Sequence, residues 1–573
     1  MGVNIPGLVS VIIFYVVILA TGIWASRKSK REEKKCTGNK SEVTMVGGRN
    51  LNVCVSIFTM TATWVGGGFI LGTAEIVYLP SQGLAWSVGV VGYSLSLIVG
   101  GIFFTKPMRG KNYVTMMDPF QLKYGNKLTS ILFIPALLAD IFWVACVLAA
   151  LGGTMSVILD ISSYYSVIIS AGVGISYTLL GGLYSVAYTD VIQLIFMLFS
   201  LWLCVPFTLL SPASTDIAYT AVNELYQSPW IGKIEPTELG RWLDDVLLVV
   251  MSDRQMNHPF QVIIYSIGTL GGICYQAFYQ RILAVASTTQ AQVTCYVGSI
   301  FCFVLGIPSV IIGAVAASTD WNQTSYGLPT PYDRKQAGMI LPITLQHLCP
   351  SYISIAGIGA IAAAVMSSID SALLSSASLF ARNIYKNILR KKASENEIMW
   401  VVKFSVLLFG SIGMSLAMTT NSVFVFWLLS GDMMYTVVCA QLLCILFVPK
   451  SNGYGACVGF VLGLTLRCLA GEPILNIAPV IHFPGCRLVD GVYVQYFPFK
   501  TVSMLISFFS IVIVSHLASF LFNKGLLKEK WDIFNVKEKS SITLKDVTLN
   551  ELTEESILHN CQHSPIISKE GSA

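Results

Sequence analysis

Long apolar runs separated by short polar segments make up most of this chain. Each run has roughly 20 apolar residues, the length that a helix needs to cross a bilayer. We count thirteen runs, at about 7–26, 51–79, 83–105, 130–158, 164–183, 187–210, 260–280, 291–317, 351–380, 399–419, 423–448, 453–470 and 500–522. The pattern predicts an all-α polytopic membrane protein with about 13 transmembrane helices.

Basic residues cluster in three of the polar segments, and all three lie on one side when the N-terminus is placed outside. They are Arg27, Lys28, Lys30, Arg31, Lys34 and Lys35; Lys106, Arg109 and Lys111; and Arg382, Lys386, Arg390, Lys391 and Lys392. Cytoplasmic loops are enriched in Lys and Arg, so this side is predicted to be cytoplasmic. The N-terminus is then extracellular and the C-terminus cytoplasmic.

Asn322 opens an Asn-Gln-Thr sequon in a predicted outer loop and is a predicted glycosylation site.

The second run contains three consecutive glycines, Gly66, Gly67 and Gly68, beside Trp64. Glycine holds a helix poorly, and freed backbone groups are tolerated in a bilayer only where protein or a cavity surrounds them. The run therefore indicates a helix broken at mid-membrane beside a binding site. The alternative is that the glycines only let helices pack closely.

A second interrupted run occupies the corresponding position in the other half of the chain. Spans two to six and seven to eleven form two groups of five, which enter the membrane in opposite directions because five is odd. The first helix of the second group carries Gly271 and Gly272, with Tyr275 just beyond. Paired interruptions of this kind are typical of transporters with a site between inverted repeats. The sequence thus predicts a 5+5 inverted repeat.

This organisation divides the chain into six parts. They are an outer N-terminus, first helix and basic cytoplasmic loop at 1–50, a first five-helix repeat at 51–210, an outer loop at 211–245, a second repeat at 246–448, two extra helices with an outer loop at 449–523, and a cytoplasmic tail at 524–573. The polar tail is predicted to be mostly disordered. Its leucines and acids at 549–555 are either a sorting signal for trafficking adaptors or part of a solvated tail.

Composition excludes a soluble globular protein. Hydrophobic residues make up 54% of the 573 residues, charged residues only 12%, and the mean hydropathy is +0.68. The net charge of +5 comes mostly from basic loops, so it indicates membrane topology rather than a nucleic-acid partner. The sequence shows no nucleophile motif, metal-ligand set or phosphate-binding loop, and an enzyme is not expected.

Five aromatic residues lie inside the runs rather than at their ends, where Trp and Tyr are usually enriched. They are Trp64, Tyr93, Trp143, Tyr275 and Trp427. Taken singly, a buried ring more often packs than binds. Together, rings from both halves predict a cage whose π faces hold a quaternary ammonium, a cation that cannot donate a hydrogen bond. Asp140, one helical turn before Trp143, adds a negative field.

Three aspartates, Asp140, Asp190 and Asp370, lie inside runs, where carboxylates are costly and usually functional. Helical spacing places several oxygen-bearing side chains on one face, namely Ser367, Asp370, Ser371, Ser375 and Ser378. Hard oxygens suit a small cation such as sodium. For the serines, the alternative is a seam of small residues for helix packing.

Several blocks resemble the choline-transporting branch of the sodium/solute symporter family. They lie at 59–68, 92–97, 106–109, 181–190, 318–324, 366–371 and 380–385 and cover nearly the whole transmembrane part. The Thr-Trp-Val-Gly-Gly-Gly block is the most specific to this branch. The resemblance implies sodium- and chloride-dependent uptake of choline across the plasma membrane, on a leucine-transporter-type inverted-repeat scaffold.

The resemblance also implies roles for particular residues. The choline cage would be Trp64, Tyr93, Trp143, Tyr275 and Trp427. One sodium site would use the backbone carbonyls of Thr59, Ala62 and Ala364 with the hydroxyls of Ser367 and Ser368. A second sodium site would use Asp190, Asp370 and Ser371, and chloride is not placed.

Two departures from this branch stand out. The branch resembles Gly-Gly-Ile-Pro-Trp where this chain reads Gly-Gly-Ile-Cys-Tyr at 271–275, and tyrosine is the weaker cation–π partner, so affinity or substrate preference is expected to differ. Residues 252–259 look inserted, either as an extra outer segment or as an error of sequence assembly.

Two other functions remain open: a sodium-coupled symporter for another organic cation or small solute, and a ligand sensor of the same fold that does not transport.

Overall fold

The computed structural model describes residues 5–33, 40–159, 161–179, 182–249, 272–419, 423–472, 477–489 and 491–537. The apparent insertion at 252–259 and the possible sorting signal at 549–555 lie outside the described residues.

The described chain is mostly helical. In chain order the α-helices are α1 (Ile5–Glu33), α2 (Lys40–Val46), α3 (Val53–Trp64), α4 (Gly67–Tyr78), α5 (Gly89–Val99), α6 (Thr105–Arg109), α7 (Asp118–Tyr124), α8 (Asn126–Leu159), α9 (Ser163–Thr178), α10 (Leu183–Leu209), α11 (Ile217–Thr220), α12 (Leu239–Val249), α13 (Gln276–Ala284), α14 (Thr288–Ala317), α15 (Ile340–Leu348), α16 (Ser351–Leu379), α17 (Glu395–Ala417), α18 (Val423–Met433), α19 (Ala440–Phe447), α20 (Gly453–Leu469) and α21 (Phe499–Asn523). A short antiparallel hairpin of β1 (Arg487–Val489) and β2 (Val492–Val494) precedes α21.

Three segments with π-helical hydrogen bonding continue α5, α16 and α18 towards their next elements, at Gly100–Phe104, Phe380–Leu389 and Met434–Cys439. They lengthen these helices, so that Ser351–Leu389 forms one span of 39 residues.

Within the described residues, eight helical segments are long and apolar enough to cross a membrane, and α3 with α4 adds a ninth as a pair bent by 46°. These nine correspond to nine of the thirteen predicted runs. Of the other four, 164–183 and 453–470 contain the shorter apolar helices α9 and α20, and 7–26 lies within α1. Most of 260–280 lies outside the described residues.

Burial separates the centre of the bundle from its edge. The most apolar window of Ser351–Leu389 is 78% buried inside the protein, as is that of Val425–Phe447, whereas the value for α21 is 28%. Small residues let α16 pack on its neighbours on all sides, and its alanines and serines from Ala360 to Ser378 are fully or nearly fully buried. Therefore α16 is the central helix against which the broken pair α3 and α4 is placed.

Asp432, which lies within the predicted run 423–448, forms an ion pair with another helix. The Arg467 guanidinium of α20 lies 2.5 Å from the Asp432 carboxylate of α18 and also pairs with Glu472. This buried pair ties α20 to α18.

Candidate functional site

The break between α3 and α4 lies at Val65 and Gly66. Val65 has φ −86° and ψ 68°, and Gly66 has φ −102° and ψ −173°, so neither residue continues a helix. Gly66 also backs directly onto α16, because a Cβ at this position would lie 1.8 Å from the Ser368 hydroxyl oxygen. A Cβ on Gly67 would lie 2.6 Å from the Val365 side chain. The glycine run therefore serves both of the roles weighed from the sequence, breaking the helix and allowing close packing.

A second interruption precedes α13. Gly272–Cys274 forms a 3₁₀ turn, Tyr275 is extended with φ −82° and ψ 136°, and α13 begins at Gln276. Gly271 lies outside the described residues. The two interruptions approach each other: a Cβ on Gly272 would lie 3.9 Å from the indole nitrogen of Trp64.

All five predicted rings line one cavity of about 30 Å³ between these two breaks. The remaining lining residues are Thr63, Gly66, Gly68, Phe69, Gly272 and Ser368. Trp64 and Trp427 are buried, and Tyr93, Trp143 and Tyr275 are half-buried. Among the described residues that line the cavity, none carries a charge. Such a lining offers π faces and hydroxyls, which suits a cation without hydrogen-bond donors.

Contacts between the rings hold the cage together. The Tyr93 ring centroid lies 6.4 Å from that of Trp64 and 5.7 Å from that of Trp427, and 5.5 Å from that of the neighbouring Phe69. The Trp427 indole N–H donates to the Tyr93 hydroxyl. Because Trp64 and Tyr93 come from the first half of the chain and Trp427 from the second, these contacts join the two halves.

Trp143 and Tyr275 form the other side of the cage. Their ring centroids are 5.3 Å apart in an edge-to-face arrangement. The Tyr275 hydroxyl lies 2.5 Å from the Ser430 hydroxyl, which donates to the Ala139 carbonyl oxygen at 2.7 Å. The hydroxyl that distinguishes Tyr275 from tryptophan is thus engaged with α18 and α8, which fixes the orientation of its ring.

Carbonyl and hydroxyl oxygen atoms cluster next to the first break, where α3 packs against α16. The Ser367 hydroxyl lies 2.9 Å from both the Ala62 and the Ala364 carbonyl oxygens. The neighbouring Ser368 hydroxyl is fully buried and has no hydrogen-bond partner among the described residues. Two carbonyls and two hydroxyls, one of them unsatisfied, fit the hard-oxygen preference of a sodium ion. The Thr59 carbonyl, also proposed from the sequence, accepts from the Thr63 hydroxyl at 2.7 Å.

Asp190 and Ser371, two of the three residues assigned to a second sodium site, are joined by Arg281 of α13. One guanidinium nitrogen lies 3.8 Å from the Asp190 carboxylate and 2.5 Å from the Ser371 hydroxyl. The Thr59 hydroxyl donates to the same carboxylate oxygen of Asp190. Asp190, Arg281 and Ser371 are all fully buried. The positive charge that the structure places beside Asp190 and Ser371 is therefore the Arg281 guanidinium.

Asp370 and Asp140 have different surroundings. One carboxylate oxygen of Asp370 accepts from the Thr178 hydroxyl of α9 at 2.6 Å, and the other has no partner among the described residues. Asp370 therefore contacts α9, whereas the adjacent Ser371 faces α3 and α13. Asp140 is fully buried, and its carboxylate faces the Ser375 hydroxyl of α16.

Sequence reasoning missed three residues that the structure places at these sites. Phe69 stacks on Tyr93 and lines the cavity, Thr63 lies 3.1 Å from Ser371, and Arg281 neutralises Asp190. The signal for Arg281 was present, since a basic residue directly follows the predicted run 260–280, and buried charges in membranes mark functional positions.

The sequence profile of the sodium:solute symporter family matches residues 45–463, which include both breaks, the cage and the oxygen cluster. The chain belongs to the sodium:solute symporter family. The match covers more than half of the chain and confirms the family resemblance seen in the sequence.

Several relatives align with this chain over most of its length. The chain is 46% identical to high-affinity choline transporter 1 of Torpedo marmorata, over 99% of this chain and 97% of the relative. It is 50% identical to the protein of the same name from Homo sapiens, over 93% of this chain and 89% of the relative. The Drosophila melanogaster protein of that name is 42% identical, over 93% of this chain and 81% of the relative.

Solved structures of symporters share the fold at low sequence identity. A Na⁺-coupled sialic acid symporter in a substrate-bound outward-open state matches with a TM-score of 0.65 and 16% identity, covering 89% of this chain and 97% of the symporter. The nucleobase-cation-symport-1 transporter MHP1, in a closed conformation with bromovinylhydantoin, matches with a TM-score of 0.51 and 10% identity, covering 87% of this chain and 96% of the transporter. The chain therefore shares its fold with these two symporters.

Proposed function

We propose that this symporter imports choline across the plasma membrane, coupled to sodium and dependent on chloride. The observation that supports choline as the substrate is the uncharged cavity lined by Trp64, Tyr93, Trp143, Tyr275 and Trp427. A trimethylammonium group is attracted by aromatic faces, each contributing roughly 0.5–2 kcal/mol when water is excluded. Full-length relatives named as choline transporters support the same substrate.

Sodium is proposed to bind where α3 meets α16, at the carbonyls of Thr59, Ala62 and Ala364 and the hydroxyls of Ser367 and Ser368. At this position the ion braces the broken helix against the central helix. Bracing α3 also sets the position of Trp64, the last residue of that helix, and so couples ion binding to the cage. A second sodium is proposed near Asp190, Asp370 and Ser371, and no residue is assigned to chloride.

Transport is proposed to proceed by alternating access. About 13 transmembrane helices are arranged as a 5+5 inverted repeat of the leucine-transporter type, and the cage lies between the two interrupted helices. Rocking of one group of helices against the other exposes the cage first to the outside and then to the inside. Inward movement of positive charge is favoured by roughly 2.3 kcal/mol per charge per 100 mV.

The cavity of about 30 Å³ has room for about two water molecules, so choline requires the rings to separate. The hydrogen bond between Trp427 and Tyr93 is the contact across the cage that this separation opens. The cage is thus proposed to form around its substrate rather than to stand open.

Radiolabelled choline uptake into cells that express the full chain tests this function. We expect uptake to disappear when external sodium is replaced by N-methylglucamine, and to fall when chloride is replaced by gluconate. Uptake that ignores the removal of sodium refutes the proposal. Stronger competition by another organic cation than by choline indicates a different substrate, and binding without flux in vesicles indicates a sensor.

Asp370→Asn is expected to weaken the sodium dependence of uptake rather than the affinity for choline. The substitution keeps an acceptor for Thr178 but removes the charge, and the second carboxylate oxygen has no other partner in the described chain. The half-saturating sodium concentration should rise about tenfold, which corresponds to about 1.4 kcal/mol of lost ion affinity. Sodium titrations of uptake at fixed choline measure this, and Ser411→Ala on the outer side of α17 is a matched control. An unchanged sodium response removes Asp370 from the ion site.

The orientation predicted from the basic clusters is carried into this proposal, with the N-terminus outside and the C-terminal tail inside. Asn322 lies in a short 3₁₀ turn between α14 and α15 and is exposed, as a glycan acceptor must be. Asn322→Gln should abolish a glycosidase-sensitive shift in gel mobility, and an unaltered shift places the glycan elsewhere.

A further inference from the structure

A second, much larger cavity lies at the C-terminal end of α21, and it shares no lining residue with the aromatic cage. Its volume is about 910 Å³. Its lining carries the cationic side chains of Lys123, Lys450 and Lys524 together with His516, and among the described lining residues there is no carboxylate. Three separate parts of the chain, α7, the loop before α20 and the end of α21, contribute these groups.

The segment after α21 forms an ordered wall of this cavity. The Tyr454 hydroxyl of α20 donates to the Trp531 carbonyl oxygen at 2.6 Å and accepts from the Ile533 N–H at 2.8 Å. The Phe534 ring packs edge-on against Tyr454, with centroids 4.8 Å apart. Gly453 is needed here, because a Cβ would lie 2.2 Å from the Phe534 ring. The predicted tail, which begins at 524, thus starts with a segment that is folded onto α20.

The lysines differ in their engagement. The Lys123 ammonium donates to the Val448 carbonyl oxygen at 2.8 Å and to the Ser451 hydroxyl at 2.7 Å, which holds it at the cavity. Lys450 and Lys524 are exposed, and neither forms an ion pair with a carboxylate of the described chain. The Lys524 ammonium lies over the Phe520 ring, 4.6 Å from its centroid. One held ammonium and two exposed ones therefore border the same concave surface.

The acidic residues Glu529 and Asp532 in the segment after α21 interact with Lys537, which does not line the cavity. Glu529 pairs with the Lys537 ammonium at 3.3 Å, and Asp532 accepts from the Lys537 backbone N–H at 2.8 Å. Neither lines the cavity. The local field inside the cavity is therefore positive.

Apolar side chains surround the basic cavity on the outside of the protein. Leu517 and Phe520 of α21 are about half exposed, and Leu526, Trp531 and Ile533 of the following segment are exposed by more than half. An exposed tryptophan beside exposed aliphatic chains at the end of a membrane-spanning helix is typical of the bilayer interface. This pattern favours a position of the cavity at the depth of lipid headgroups.

We propose that this cavity binds the headgroup of an anionic phospholipid from the cytoplasmic leaflet, with the acyl chains lying along Leu517 and Phe520. Basic pockets of this kind between transmembrane helices on the cytoplasmic side are suited to phosphorylated headgroups. The leaflet follows from the proposed orientation, but binding itself depends neither on that orientation nor on choline transport.

The test is lipid retention by the purified full-length chain in mild detergent, measured by native mass spectrometry. The protein is incubated with equal amounts of phosphatidylcholine and phosphatidylinositol 4,5-bisphosphate, and in a parallel arm with phosphatidylserine as the anionic lipid. We expect clear preference for the anionic lipid in the wild type. In Lys450→Ala/Lys524→Ala, retention of the anionic lipid should fall about thirtyfold. Each lysine near a headgroup contributes about fivefold in affinity, and the two contributions multiply.

Matched variants make the result specific. Lys450→Arg/Lys524→Arg should keep the preference, and Lys391→Ala/Lys392→Ala, which removes two exposed lysines between α16 and α17, should leave it within twofold of the wild type. An equal loss in the 391/392 variant, or no preference in the wild type, overturns the proposal. Full displacement by millimolar inorganic phosphate assigns the cavity to a soluble anion and also overturns it. Gel filtration and the thermal unfolding midpoint of each variant confirm that the fold is retained.

Discussion

Replacing Trp64 with alanine is expected to lower choline uptake at subsaturating choline by at least about thirtyfold while the protein still reaches the cell surface. The indole lines the cavity and is in contact with both Tyr93 and Phe278, at centroid distances of 6.4 and 5.9 Å. Loss of a desolvated tryptophan face removes about 2 kcal/mol of cation–π attraction, which is about thirtyfold in affinity. Initial rates of radiolabelled uptake, divided by the surface protein from biotinylation, measure the effect.

Two further variants show whether the loss belongs to the cage. Trp400→Ala removes an indole of the same size from the exposed face of α17, and uptake should stay within twofold of the wild type. Trp64→Phe keeps a weaker aromatic face and should retain an intermediate rate. If Trp64→Ala and Trp400→Ala reduce uptake equally, the cavity is not the choline site.

Neutralising either member of the Asp190–Arg281 pair alone is expected to destabilise the protein strongly, whereas neutralising both is expected to cost much less. Each single substitution, Asp190→Asn or Arg281→Gln, leaves a fully buried charge without its counter-charge. Breaking a buried pair in this way costs about 3–5 kcal/mol, and replacing both charges removes that penalty. The thermal unfolding midpoint of purified protein and the amount at the cell surface should therefore recover in the double variant.

A partly exposed ion pair provides the comparison for this cycle. Lys386 and Glu395 lie 3.2 Å apart with about a quarter to a third of each side chain exposed, and exposed pairs contribute about 0–1 kcal/mol. Lys386→Gln should therefore change the unfolding midpoint little. Additive losses from Asp190→Asn and Arg281→Gln would show that the two charges do not compensate each other. Sodium titrations of the double variant then report whether Asp190 also contributes to ion binding.

Much of the architecture follows from local pattern. Runs of about 20 apolar residues predict spans because a helix in a bilayer must satisfy its own backbone hydrogen bonds, and nine of the thirteen runs correspond to long apolar helices or the bent pair. The broken helix was predictable at Gly66, since consecutive glycines are poor helix formers wherever they occur. The number of spans and the inverted repeat stay proposals, because part of the second half lies outside the described residues.

The ion sites show where sequence pattern stops being sufficient. Helical spacing places Asp370 and Ser371 close together on α16, yet the carboxylate meets Thr178 of α9 while the hydroxyl meets Arg281 of α13. Neighbouring residues on a helix point about 100° apart, so two residues on one broad face can contact different helices. Periodicity predicts which residues lie on the same face, but it does not predict which helix each of them contacts.

The sequence by itself determined that this chain is a polytopic membrane protein, that two of its helices are interrupted, and that aromatic rings and hydroxyls lie within its spans. Only the tertiary structure decided which side chains meet. It brings Trp64 and Trp427 to one cavity, sets Arg281 beside Asp190, and gathers Lys123, Lys450 and Lys524 around another. The physical reason is that the hydrophobic pattern acts within each helix, whereas these contacts arise from packing between segments that are far apart in the sequence, such as Trp64 and Trp427.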